Sequence, residues 1–162
     1  MKIAIYIVLA ILVLGVILVI TGRKSVHHEI EIDAPKDLVW QVLTDMDKYA
    51  EWNPTMLLLE GEIKEGNKVK YRFTQDKDNI SEMGDTVAEV KSNELLNQKG
   101  GLPLVITFDH KYMLSGEGDK SKLTIHEDYS GIYVNFWNPA PVEEAYARLN
   151  RALKMRAELL AK

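Results

Sequence analysis

The chain has no cysteine among its 162 residues. Disulfides, thiolate nucleophiles and cysteine-based zinc sites are therefore excluded. The compartment is left open, since a cysteine-free domain survives in either redox environment. Basic runs are also missing, and 24 Asp and Glu outnumber 20 Lys and Arg for a formal net charge of −4. Binding to phosphate backbones needs a concentrated basic face, so nucleic acid is not expected as a partner. No His-x-x-x-His or His-carboxylate cluster occurs at ligand spacing. His27 and His28 are neighbours on a strand-like segment and point to opposite faces, and His110 and His126 fall on separate predicted strands, again on opposite faces. No metal site and no cofactor is expected. Gly116-Glu117-Gly118-Asp119-Lys120-Ser121 lacks the third glycine and the following helix of a phosphate loop, and reads as a hairpin turn. The Gly-x-Ser-x-Gly and Ser-x-x-Lys patterns of serine nucleophiles are absent too.

Charge, Asn, Gln and Pro are missing from one stretch in particular, the apolar run from Ile3 to Ile20. At about 1.5 Å per residue it makes a helix of roughly 27 Å, close to the ~30 Å hydrocarbon core of a bilayer. A cleaved signal peptide has a shorter apolar region and a small-x-small cleavage site, whereas Ile20-Thr21-Gly22 offers a bulky residue there. The expectation is a single-pass anchor through residues 3–21. Lys2 on one side and Arg23 and Lys24 on the other give only a weak preference for a cytoplasmic domain. With no Gly-x-x-x-Gly pair, the run carries no specific dimer signal.

The remaining length suits one domain, so the chain divides into an anchor with its flanks at 1–24 and a globular domain at 25–162. Alternation beginning by Val26 marks a first strand, leaving about four linking residues, Gly22 to Ser25, with a reach of roughly 14 Å. Pro35 fits the first turn of a helix whose apolar face is Leu38, Val39, Val42, Leu43 and Met46. A second short helix ends at Asn53-Pro54. From Met56 to about Val134 the period is two. Strands are expected over Leu57–Lys64, Lys68–Thr74, Ile80–Lys91, Glu94–Gln98, Val105–Ser115 and Lys120–Tyr133, joined by Gly- and Asn-bearing turns as an antiparallel meander. Beyond Asn138-Pro139-Ala140-Pro141, residues Val142 to Ala161 form a long amphipathic helix with the stripe Val142, Ala145, Tyr146, Leu149, Leu153, Ala157 and Leu160. The fold class is α+β, ordered β-α-α-β6-α, with the long helix buried against the sheet's concave face.

Within this order, Ile30-Glu31-Ile32-Asp33-Ala34-Pro35, Leu38-Val39-Trp40, Leu43-Thr44-Asp45, Tyr49 and Trp52-Asn53-Pro54 resemble the START-like, or SRPBCC, superfamily of polyketide cyclases, lipid-transfer domains and the birch-pollen-allergen fold. The likeness covers residues 26 to 161, with one local departure at Asp37-Leu38. It implies a helix-grip fold enclosing an apolar cavity that takes lipids, sterols, polyketides or other hydrophobic molecules, often without catalysis. Strand alternation is compatible with such a cavity. Val69, Tyr71 and Phe73 share one face, as do Ile106, Phe108, His110, Tyr112 and Leu114, and likewise Leu123, Ile125, Glu127 and Tyr129. The cavity candidates are thus Tyr71, Phe73, Phe108, His110, Tyr112, Glu127 and Tyr129, with Tyr146, Leu149 and Leu153 from the last helix. His110 and Glu127 stand out as polar groups among apolar ones, the kind that orient a ligand. Alternation by itself is equally satisfied by plain packing against the helix.

Three functions follow from these residues. One is a membrane-anchored, non-catalytic domain binding a lipid or other hydrophobic small molecule. The second is a cyclase- or dehydrase-type enzyme on an apolar substrate, using His110 or Glu127 as acid or base. The third is a protein-interaction module, favoured if side chains fill the cavity. The segment Gly100-Gly101-Leu102-Pro103-Leu104-Val105 is unlike a soluble loop. It is expected to tuck over the core, to border the cavity mouth or to dip into the membrane interface.

Overall fold

The computed structural model describes residues 2–162. Helix α1 (Lys2–Thr21) has no buried residue, and it is long and apolar enough to cross a membrane. Its last turn is closed by Thr21, whose Oγ1 donates to the Ile17 carbonyl at 2.9 Å.

A single residue, Gly22, separates α1 from β1 (Arg23–Ile32), where the sequence suggests a link of four. Arg23, Lys24 and Ser25 lie in the sheet opposite Ser130, Tyr129 and Asp128. That pairing, which has no local sequence signal, converts the expected linker into strand. The glycine is required by proximity: a Cβ at Gly22 would collide with the Gly131 carbonyl oxygen and reach 2.8 Å from Asn135 Nδ2.

Helix α2 (Lys36–Thr44) follows Pro35, which is its cap rather than a member of its first turn. It buries Val39, Val42 and Leu43. A 3-10 turn at Met46–Lys48 leads into α3 (Tyr49–Trp52), tied back by the Tyr49 hydroxyl donating to the Leu43 carbonyl at 2.5 Å. Six strands come next: β2 (Met56–Glu60), β3 (Lys68–Thr74), β4 (Ile80–Lys91), β5 (Leu95–Leu102), β6 (Ile106–Glu117) and β7 (Lys120–Ser130). β7 stops short of its expected end because residues Ile132–Asn135 coil into a 3-10 turn.

The seven strands form one antiparallel sheet in the order β1-β7-β6-β5-β4-β3-β2. Helix α4 (Ala140–Leu160) lies across its concave face, as the helix-grip reading requires. The stripe of α4 is buried from Val142 to Ala157, with Leu149 and Leu153 fully enclosed, each stabilising the fold by about 1.5–3 kcal/mol. Leu160, assigned to that stripe from spacing, is instead 51% exposed, bordering a hollow it shares with Leu38, Val42 and Trp52. Asn150 joins the buried set, donating from Nδ2 to His28 Nδ1 at 2.9 Å.

Candidate ligand-binding site

The paired strands β6 and β7 set the site. In their register Phe108 faces Tyr129, His110 faces Glu127 and Tyr112 faces Ile125. Alternation turns all six beneath α4. Tyr146 descends from α4 to meet them, and its hydroxyl donates to Glu127 Oε2. The same oxygen accepts from the Tyr129 hydroxyl at 2.5 Å, and His110 Nδ1 lies 3.5 Å away. The His110 ring is walled by Tyr112 and Tyr146, with centroids at 4.5 and 5.2 Å. Burial pushes the hydroxyls of Tyr112, Tyr129 and Tyr146 above the usual phenol range, and the Glu127 charge adds to it. They stay protonated and act as donors.

Two polar atoms in this neighbourhood have no partner. One is His110 Nε2 and the other is Asp85 Oδ1. Asp85 sits on β4, only 5% exposed. Burial raises its carboxyl to about 6, opposed by His110 and reinforced by Glu127. Space for it comes from Gly100 on β5, where a Cβ would stand 3.0 Å from Asp85 Oδ1 and press on the Phe108 ring and on the Gly84 carbonyl. Next along β5, Gln98 donates to the Tyr71 hydroxyl at 2.5 Å.

Of the ten candidates read from sequence, His110, Glu127, Tyr112, Tyr129 and Tyr146 come together as one polar-aromatic cluster. Phe73 adjoins it through Tyr146, at 6.0 Å between ring centroids. Phe108 adjoins through Tyr129 at 6.4 Å. Leu149 and Leu153 are fully buried in α4, while Tyr71 is linked to the cluster only through Gln98, the residue paired with His110. A depression of about 1050 Å³ lies at the α1 end of the sheet, lined by Arg23, Ser25, Lys99, Thr107, Asp109 and Asp128. Their strand parity is opposite to that of Phe108, His110 and Tyr129, so it sits on the outer face of the sheet. Phe108 and Tyr129 also border it, but by alternation their side chains turn to the face under α4, with the other candidates.

Asp85 and Gln98 were missed by the sequence reading. Asp85 shares strand parity with the buried Val87, and that parity was its signal. For Gln98 only the pairing with His110 across β5 and β6 identifies the role.

A curved sheet gripping a long helix, with polar groups enclosed among aromatics, defines the helix-grip class of small-molecule-binding domains. The family profile described as polyketide cyclase/dehydrase and lipid transport matches residues 23–159. The chain belongs to this family, whose fold binds hydrophobic ligands. Among solved structures it is similar to the Zhui aromatase/cyclase from Streptomyces sp. R1128, with TM-score 0.69 and 18% identity, covering 86% of this chain and 96% of that one. Major latex-like protein 151 from Panax ginseng gives TM-score 0.68 at 14% identity, over 83% and 97% of the two chains. Norcoclaurine synthase from Thalictrum flavum gives 0.62 at 18%, over 86% and 88%. At such identities the likeness is one of fold. No curated protein matches the sequence.

Proposed function

We propose that this protein is a membrane-anchored binding domain for a lipid or other hydrophobic small molecule bearing a polar group, and that it senses, sequesters or transfers that molecule without catalysis. The observation that carries this reading is the pair of unpartnered buried atoms, His110 Nε2 and Asp85 Oδ1, beside a cluster whose other polar groups, Glu127, Gln98 and the hydroxyls of Tyr129 and Tyr146, are hydrogen-bonded. Buried polar atoms ordinarily have partners, and a ligand hydroxyl or carbonyl would supply them here while its apolar body replaces contacts under α4. Phe108, half-buried at the α1 end, borders the cluster through Tyr129, at 6.4 Å between ring centroids. The anchor reading adds the membrane as the source of the ligand, since α1 is apolar and exposed along its length.

The test is native mass spectrometry of the full chain released from detergent micelles, with solvent extraction of what it carries. A bound hydrophobic compound at near one-to-one level, lost in a folded Phe108→Asp variant, is the expected result. An empty chain that also ignores a lipid panel would count against the proposal.

The raised Asp85 carboxyl beside His110 favours a second reading, acid-base chemistry on the bound compound. Incubating the extracted compound with fresh protein separates the two. Chemical conversion that disappears in Asp85→Asn would make the domain an enzyme.

A further inference from the structure

The turn between β5 and β6 exposes Leu102 by 61%, Leu104 by 67% and Val105 by 42%. It does not fold back over the core. Val105 N donates to the Leu102 carbonyl at 3.1 Å, closing a β-turn with Pro103 and Leu104 at its centre. Leu104 has φ +67°. This is the position of a type II turn that glycine or asparagine normally fills. A leucine held there in the left-handed region, with its side chain in solvent, is strained and gains nothing from the core.

The turn is bonded to the segment after β7. Ile132 N donates to the Leu104 carbonyl at 2.9 Å and Tyr133 N to that of Val105 at 3.0 Å. That segment is in turn fixed to α1. Asn135 Nδ2 donates to the Leu18 carbonyl at 2.8 Å, the Thr21 hydroxyl meets Asn135 Oδ1 at 3.0 Å, and Gly131 N donates to the Gly22 carbonyl at 2.9 Å. The same segment exposes Tyr133 by 51% and Phe136 by 74%. The two segments that expose Leu102, Leu104, Val105, Tyr133 and Phe136 are thus tied by hydrogen bonds to the last turn of α1, and Arg23 and Lys24 follow one residue beyond it. Apolar and aromatic side chains at a helix end, next to cations, match the composition of a membrane interface.

We propose that the Leu102–Val105 turn and the Tyr133–Phe136 segment are seated in the interfacial layer of the bilayer that α1 enters. This rests on the anchored reading. The bilayer is a better occupant than a protein partner because the patch is continuous, through those hydrogen bonds, with a helix that is itself apolar on every side.

The absence of cysteine permits a direct test on the full chain in phosphatidylcholine/phosphatidylglycerol vesicles. Single variants Leu104→Cys, Phe136→Cys, Asp119→Cys and Val13→Cys carry an environment-sensitive fluorophore, and lipids carry quenchers at shallow or deep positions. Asp119 lies in the turn after β6, at the end of that strand remote from Ile106. Labels at 104 and 136 are expected to be blue-shifted and quenched severalfold by the shallow lipid, with 119 unaffected and 13 quenched by the deep one. If 104 and 136 behave like 119 while 13 is quenched, the docking is overturned and the anchor stands. If 13 is unquenched, the anchored reading falls and the docking falls with it. Adding Leu104→Gly to the 136-labelled chain is expected to raise its melting temperature in detergent while lowering its quenching in vesicles. Unchanged quenching would refute a membrane role for that leucine.

Discussion

His110 Nδ1 and Glu127 Oε2 stand 3.5 Å apart on directly paired residues of β6 and β7. Glu127 is the hub of the enclosed polar cluster, because the hydroxyls of Tyr129 and Tyr146 converge on the same oxygen. Each hydroxyl left without an acceptor costs about 1–3 kcal/mol. Glu127→Ala is therefore expected to destabilise the chain by about 3 kcal/mol or more. Glu127→Gln, which retains one acceptor oxygen, should cost roughly half as much. Thermal unfolding of the full chain in detergent measures both, and equal losses would show that the carboxylate itself, rather than one acceptor oxygen or the side chain's shape, sets the role.

Asp85 predicts a pH effect of opposite sign to that of an ion-paired carboxylate. Its folded value of about 6 lies above the ordinary 3.8, so the folded chain binds the extra proton between them. The stabilisation from the neutral form is present at the acid end and is lost as pH rises through about 6. Asp85→Asn should therefore melt higher than the parent at pH 7.5, by the equivalent of about 2–3 kcal/mol at most. The gain should shrink toward pH 4. A constant difference across that range would separate Asp85 from the effect.

Gly22→Ala puts a methyl group against the Gly131 backbone, which has no flexible end to move aside. The expected result is a broken joint rather than an unfolded domain. Hydrogen exchange at the Gly131 amide should accelerate at least tenfold, and proteolysis should appear between α1 and β1, with protection of β6 and β7 unchanged.

Leu149→Ala and Leu160→Ala test the last helix at two positions of the same expected stripe. Leu149 has no exposed surface, and its truncation should cost about 2–5 kcal/mol. Leu160 is half-exposed, so its truncation should stay within about 0.5 kcal/mol. Similar losses at both would place Leu160 in a contact outside the described packing.

Much of this arrangement is legible along the chain because a period of two has only two faces to choose between. Val69, Tyr71 and Phe73, or Phe108, His110 and Tyr112, fall on the buried face as alternation requires. Which residue stands opposite which is a different kind of information. His110 meets Glu127 through strand register, and Arg23 to Ser25 become strand only because β7 extends far enough to pair with them. Leu160 satisfies the helical period, but α2 and α3 leave a hollow beside it and it stays half-exposed. Asp85 has the parity of the buried Val87, but what makes room there for a carboxyl is Gly100, fifteen positions later. The Leu102–Val105 turn announces itself by composition, yet its direction depends on hydrogen bonds to residues 132 and 133.

The one-residue passage from α1 to β1 removes slack. A domain on a flexible tether sweeps a volume and meets its targets at many heights and orientations. Here Gly22 is clasped by Gly131 and Asn135, so in a bilayer the sheet would keep one height and one tilt, and would turn only as α1 turns about its own axis. Encounters with molecules in the membrane then become a two-dimensional search governed by lateral diffusion. The side of the domain that meets them is chosen by the azimuth of a single helix.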